Sequence, residues 1–140
     1  MSVVANSSLV ILLVEDNRGD VVLFQETLDA ETPSIIHVVG DGKDALRFLR
    51  RQAPFADAPR PDVIVMDLDL PRKSGQEVLA ELAIDPAVNT IPVAILTTLT
   101  SKTCLCDLYP KKRCLYFTKT GNLKAFQGIV RQIVAHGRMA

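Results

Sequence analysis

Apolar residues fall into short solid runs separated by stretches with helical spacing. Leu9 to Val14 is a continuous apolar run of strand length, too short for a typical helix. After it Val21, Val22, Phe24 and Leu28 recur at helical spacing, and Thr32-Pro33 stops that pattern. Ser34 to Val39 is β-branched and strand-like, Gly40-Asp41-Gly42 makes a turn, and Ala45, Leu46, Phe48 and Leu49 mark a second helix. A loop rich in Pro and Ala, 53–61, leads into a third run, Val63 to Met66. The helix behind it places Val78, Leu79, Leu82 and Ala83 on one face. Ile91 to Leu96 is a fourth run, with Pro92 near its start, where a missing N–H does least harm. Ser101 to Tyr109 makes a poor helix by pattern, and Pro110 ends it. Cys114 to Phe117 is the fifth run, and Leu123, Phe126, Val130, Ile133 and Val134 predict a last helix, weakened by Gly128.

Strands that are solidly apolar, rather than alternating, belong to a parallel sheet covered on both faces. The pattern therefore predicts an α/β fold with a five-stranded parallel sheet, doubly wound, in one domain spanning 1–140 with its core over about 8–137. No internal repeat, low-complexity tract or linker interrupts it.

Composition narrows the function classes. The 140 residues carry 16 Lys and Arg against 16 Asp and Glu, so no global field favours nucleic acid or an anionic membrane. No apolar run approaches the roughly 20 residues that span a bilayer. Met1 to Ser8 lacks the basic start of a signal peptide, which makes the Asn6-Ser7-Ser8 sequon a chance match. These features predict a cytoplasmic protein, in which Cys104, Cys106 and Cys114 are expected to be thiols.

In an open parallel sheet, ligands bind at the carboxyl ends of the strands. The polar residues that follow the runs are Glu15 and Asp16 after the first, Asp67 within Met66-Asp67-Leu68-Asp69 after the third, Thr97 and Thr98 after the fourth, and Thr118 and Lys119 after the fifth. Each has an ordinary explanation alone: an acid after a strand caps a helix, and a lysine is commonly a solvated surface group. Together they put several carboxylates, a hydroxyl and an ammonium group on one edge. Clustered carboxylates repel one another unless a cation sits among them, and such hard oxygen donors suit Mg²⁺ with a phosphate ligand. Lys119 and the Thr97 hydroxyl are suited to a phosphoryl group, and a carboxylate beside Mg²⁺ is suited to attack it.

At this point the chain resembles the receiver domains of two-component response regulators over essentially its whole length. The matching stretches are Leu13-Val14-Glu15-Asp16-Asn17, Pro61 to Asp67 with Pro71 and Gly75, Leu96-Thr97-Thr98, and Tyr116-Phe117-Thr118-Lys119. The resemblance implies a flavodoxin-like (βα)5 fold and a phosphoacceptor at Asp67. It implies Mg²⁺ held by Asp16, Asp67 and the backbone carbonyl of Asp69, with Glu15 assisting through water. Thr97 would turn to the phosphoryl group, Lys119 would pair with it, and Tyr116 would be the switching aromatic. Such a domain is not an enzyme but a phosphoacceptor that assists its own phosphorylation and dephosphorylation. Its partners would be a sensor histidine kinase and a homodimer mate or downstream phosphotransfer protein, reached through the face of the fourth helix, fifth strand and fifth helix, with no attached output domain.

The stretch from Asp67 to Glu81, Ile91 to Thr98, and the long loop before the third strand look like the single-domain regulators paired with bacterial phytochrome-type kinases. Two residues depart from the pattern. Asp69 stands where that subgroup has Asn, and its extra charge is expected to alter phospho-lifetime or Mg²⁺ affinity. Thr120 follows Lys119 where many receivers have Pro, so no cis peptide is expected there. The enzyme alternative is a haloacid-dehalogenase-type phosphohydrolase using Asp67 and Asp69, although Pro71 and the position of the motif fit it poorly. A nucleotide-binding fold would need a glycine-rich phosphate loop, which the chain lacks. A pseudo-receiver would lack part of the acidic, Thr and Lys set.

Overall fold

A computed structural model describes residues 8–98, 105–110 and 113–138. Five parallel strands, β1 (Leu9–Val14), β2 (Ser34–Val39), β3 (Val63–Met66), β4 (Val93–Thr97) and β5 (Cys114–Thr118), form one sheet in the order β2-β1-β3-β4-β5. Among the described residues four α-helices accompany it: α1 (Arg18–Asp29), α2 (Gly42–Leu49), α3 (Gly75–Ala83) and α4 (Leu123–Gly137).

The solid apolar runs are explained by burial on two faces. Leu12, Val14, Ile64, Met66, Val93 and Ile95 point into a core with α2 and α3, while Leu9, Ile11, Leu13, Val63, Val65 and Ala94 point into a second core with α1 and α4. Both residue parities of each central strand are thus withdrawn from water, so neither position is left to be polar. In the register, Val14 stands beside Met66 and Met66 beside Ile95, which brings the carboxyl ends of three strands to one level. The order places β1 and β3 at the point where the winding reverses, the usual place of a ligand crevice.

The helices start at residues able to cap them. Asn17 accepts from the Asp20 N–H, Asp41 from the Asp44 N–H, and Asn122 from the Ala125 N–H. Ser74 and Glu77 form a reciprocal capping box at the start of α3. At the other end of the sheet, buried His136 in α4 brings Nε2 within 2.7 Å of the Arg113 carbonyl and 3.1 Å of the Val93 carbonyl.

Two expectations are corrected. In the fourth β-α alternation, among the described residues, the β4–β5 crossover carries a 3-10 helix, Leu105–Leu108, in place of the expected α-helix. The Ser101–Cys104 part of that expected helix lies outside the described residues, as does Cys104 itself. And the cysteines are not all thiols, because Cys106 and Cys114 form a disulfide. The fold sets the 3-10 helix against the start of β5, with the two Cα atoms 5.3 Å apart, a proximity that a spacing of eight residues does not announce. Among the described residues a cis peptide lies at Ala53-Pro54 and none follows Lys119. No helix among the described residues is long and apolar enough to cross a membrane.

Candidate functional site

Asp67 directly follows β3, and its backbone N–H continues the ladder to the Val14 carbonyl at 3.1 Å. Its side chain turns inward and is 8% exposed. Oδ1 accepts from the Thr97 hydroxyl at 2.6 Å and from the Asp69 N–H at 3.0 Å; Oδ2 accepts from Lys119 Nζ at 2.8 Å. A buried carboxylate is costly unless its oxygens are hydrogen-bonded, and here three donors converge on it.

Those donors are held by the sheet edge. Thr97 ends β4 and is fully buried. The N–H of Lys119 donates to the Thr97 carbonyl at 2.8 Å, which fixes the lysine backbone beside Thr97. Gly75, first residue of α3, lies so close that a Cβ there would run into the Asp67 carbonyl, while its own N–H donates to the Leu68 carbonyl at 2.9 Å. Only glycine allows α3 to start against the backbone of the site.

Lys119 Nζ also donates to Glu15 Oε1 at 2.8 Å and Asp20 Oδ2 at 2.7 Å. Burial by itself lowers the ammonium pKa, but hydrogen bonds to Asp20, Asp67 and Glu15 outweigh it and hold Lys119 above the usual lysine range. Glu15, buried after β1, is pushed above the ordinary carboxylate value by desolvation, opposed in part by Lys119 and by the Asn17 N–H on its Oε2 at 3.1 Å. Asp16 and the Asp69 side chain are exposed, and both line the open cleft of about 590 Å³ that also reaches Asp67, Asp20 and Lys119. Among the described residues no three acidic, His or Cys side chains form a ready-made metal cage. Lys119 is instead the cation that three carboxylates share.

The structure therefore brings together Glu15, Asp67, Thr97 and Lys119 in direct contact and sets Asp16 and Asp69 at the rim. Tyr116 lies on β5. It neighbours Ile95 in the register and packs, half-buried, against the core on the α2–α3 side. The residue that sequence reasoning missed is Asp20. It lies one helical turn beyond the strand end, so a search for polar residues directly after each strand passes over it. The available signal was Asn17: a cap there points the first turn of α1, and its third residue, back toward the sheet edge.

A sheet of this order whose carboxyl edge buries one aspartate between a hydroxyl and a lysine has the architecture of a receiver domain. The family model for the response regulator receiver domain matches residues 11–130, and the chain belongs to that family. It is 40% identical over 136 residues to the response regulator Rcp1 of Synechocystis sp., covering 95% of this chain and 91% of that one. It superposes on the phosphorylated cyanobacterial phytochrome response regulator RcpA with a TM-score of 0.83 and 39% identity, covering 95% of this chain and 96% of that one. Against the Mn²⁺-bound form of Rcp1 the TM-score is 0.79 at 39% identity, with 90% of this chain and 91% of that one covered. The phosphohydrolase alternative falls with this membership.

Proposed function

We propose that this receiver domain accepts a phosphoryl group on Asp67 from a histidine of a phytochrome-type sensor kinase. The observation that carries the reading is the convergence of Thr97, the Asp69 N–H and Lys119 on one buried carboxylate. The likeness to RcpA, a phytochrome response regulator, supports the choice of kinase class.

The donor set fits a hard divalent cation: carboxylates from β1 and β3 face one open cleft, and their negative charge exceeds the single positive charge of Lys119. Asp16, Asp67 and the Asp69 backbone carbonyl, with Glu15 through water, would hold Mg²⁺, which supplies charge neutralisation for phosphoryl oxygens when bound. An Asp67 carboxylate oxygen forms the new bond to phosphorus as the bond from phosphorus to the donor histidine nitrogen breaks. Lys119 turns from the Asp67 carboxylate to the incoming phosphoryl oxygens, and the Thr97 hydroxyl, already 2.6 Å from Asp67, donates to them. Loss of the group again, by attack of water on phosphorus, uses the same residues.

The signal passes from Thr97 through its neighbour β5 to Tyr116, and so to the face of the 3-10 helix, β5 and α4. That face serves a homodimer mate or a downstream phosphotransfer protein rather than nucleic acid or a membrane. Residues 1–140 act as one cytoplasmic receiver unit with its core at about 8–137. The Asp69 side chain adds negative charge at the cleft rim, so Asp69→Asn changes phospho-lifetime or Mg²⁺ affinity.

The test is incubation with Mg²⁺ and acetyl phosphate followed by intact mass measurement. A phosphate-sized adduct present in the native protein and absent in Asp67→Asn is the expected result. Equal labelling of both, or none of either, overturns the reading.

A further inference from the structure

An ammonium group has three N–H donors, and the structure gives each of those on Lys119 a carboxylate: Glu15 Oε1 at 2.8 Å, Asp20 Oδ2 at 2.7 Å and Asp67 Oδ2 at 2.8 Å. A lysine saturated in this way meets a new anion only by releasing a partner. The three partners differ in what release would cost. Asp67 is the group to be modified. Glu15 is buried, with its other oxygen fixed by the Asn17 N–H, so losing Lys119 would strand a desolvated charge. The Asp20 side chain is 41% exposed and re-solvates readily. Its place is nevertheless fixed, because Asn17 Oδ1 holds the Asp20 N–H at 3.0 Å and so anchors the first turn of α1 beside the cleft.

We propose that Asp20 is a positioning residue that acts through Lys119, holding the ammonium group over Asp67 before phosphoryl transfer and competing with the phosphoryl group for it during and after transfer. This rests on the phosphoacceptor reading above. Of the three carboxylates that share the ammonium group, Asp20 is the one whose hold on the lysine is adjustable. Replacing Asp20 by Asn keeps an oxygen acceptor of the same shape but removes its charge. Lys119 then has one competitor fewer, and the site carries one negative charge fewer against an incoming phosphodianion.

The experiment follows phosphorylation by acetyl phosphate at saturating Mg²⁺, with the donor concentration varied so that half-saturation and maximal rate are read separately. Asp20→Asn is expected to raise the maximal rate about fivefold, the size of one partly exposed charge pair. Asp20→Glu, which restores the carboxylate, is expected to bring the rate back toward that of the native protein. In a Lys119→Gln background the effect of Asp20→Asn should vanish, since the two side chains act as a pair. An unchanged rate in Asp20→Asn overturns the proposal, and so does a fivefold gain that persists without Lys119, because the effect would then be one of bulk charge. Should Asp20→Asn fail to fold, Asp20→Ser is read in the same way. Failure of the native protein to take up phosphate would overturn the phosphoacceptor reading itself, whereas labelling that is indifferent to Asp20 overturns this proposal alone.

Discussion

The crossovers from β3 to β4 and from β4 to β5 join neighbouring strands of one sheet on one face, yet they are secured by different physics. The first uses α3, which opens on the Ser74–Glu77 capping box and buries Val78, Leu79 and Leu82 at helical spacing. Its entry loop is tied down by Arg72, in a left-handed conformation, whose guanidinium grips Asp41 at the cap of α2. The second, in its described residues, carries the short 3-10 helix. There Tyr109 is 2% exposed, and its hydroxyl lies 3.0 Å from the Ile91 carbonyl and 3.3 Å from that of Val88. The Cys106–Cys114 disulfide then bonds this segment to β5. A crossover rich in local signals is held by an amphipathic helix. In the other, poor in them, the described residues are held by a side-chain anchor and a covalent bond.

The contrast is broken most severely inside α3. Leu79 is fully buried, and Leu79→Ala is expected to cost about 3 kcal/mol in denaturant unfolding through lost burial and the cavity left behind. On the other crossover, reduction of Cys106–Cys114 closes a loop no longer, and stability is expected to fall by roughly 2–3 kcal/mol. Thermal unfolding with and without a dithiol reductant measures this; an unchanged midpoint would mean that the covalent bond is not what secures the segment.

The two crossovers should also weaken at opposite ends of the pH range. Burial pushes the Tyr109 hydroxyl up to about 12, with Arg60 and Arg113 opposing. Because the folded value is above the unfolded one, its contribution is complete below about pH 10 and is lost as pH rises toward 12. Tyr109→Phe is expected to cost about 1–2 kcal/mol at neutral pH and to remove that alkaline component of the stability profile. Asp41 behaves inversely. Burial alone would raise its pKa, but the Asp44 N–H and Arg72 outweigh burial and hold it below the ordinary value. Its contribution is therefore present above about pH 4 and fades as pH falls further. Asp41→Asn, which keeps an acceptor for the cap while losing the charge toward Arg72, is expected to cost about 1 kcal/mol at pH 7 and less at pH 3. Identical losses at both pH values would remove the ion pair from the account of α3.

Much of this was legible in the chain. Five apolar runs wrote out a parallel sheet, although burial on both faces is the reason only for the central β1, β3 and β4, the edge strands β2 and β5 being part-exposed. Asp67, Thr97 and Lys119 could be read as strand-end residues because such sheets gather their strand ends at one edge. Gly75 was legible as part of a motif, but its reason, the approach of α3 to the Asp67 carbonyl, is a tertiary fact. Other features depend on distances that sequence spacing does not encode. Asp20 reaches Lys119 across 99 residues because a helix cap aims it there. Cys106 meets Cys114 because a 3-10 helix folds back on β5. The sequence by itself determined which runs become strands or helices and which strand ends carry charge, since hydrophobic patterning is a local property. Burial is not: Val22, Ile35, Val38 and Leu123 stay exposed because no described residue packs over them. Only the tertiary structure decided which carboxylates share one ammonium group and which sulfurs bond, since electrostatic and covalent partners are chosen by proximity in space.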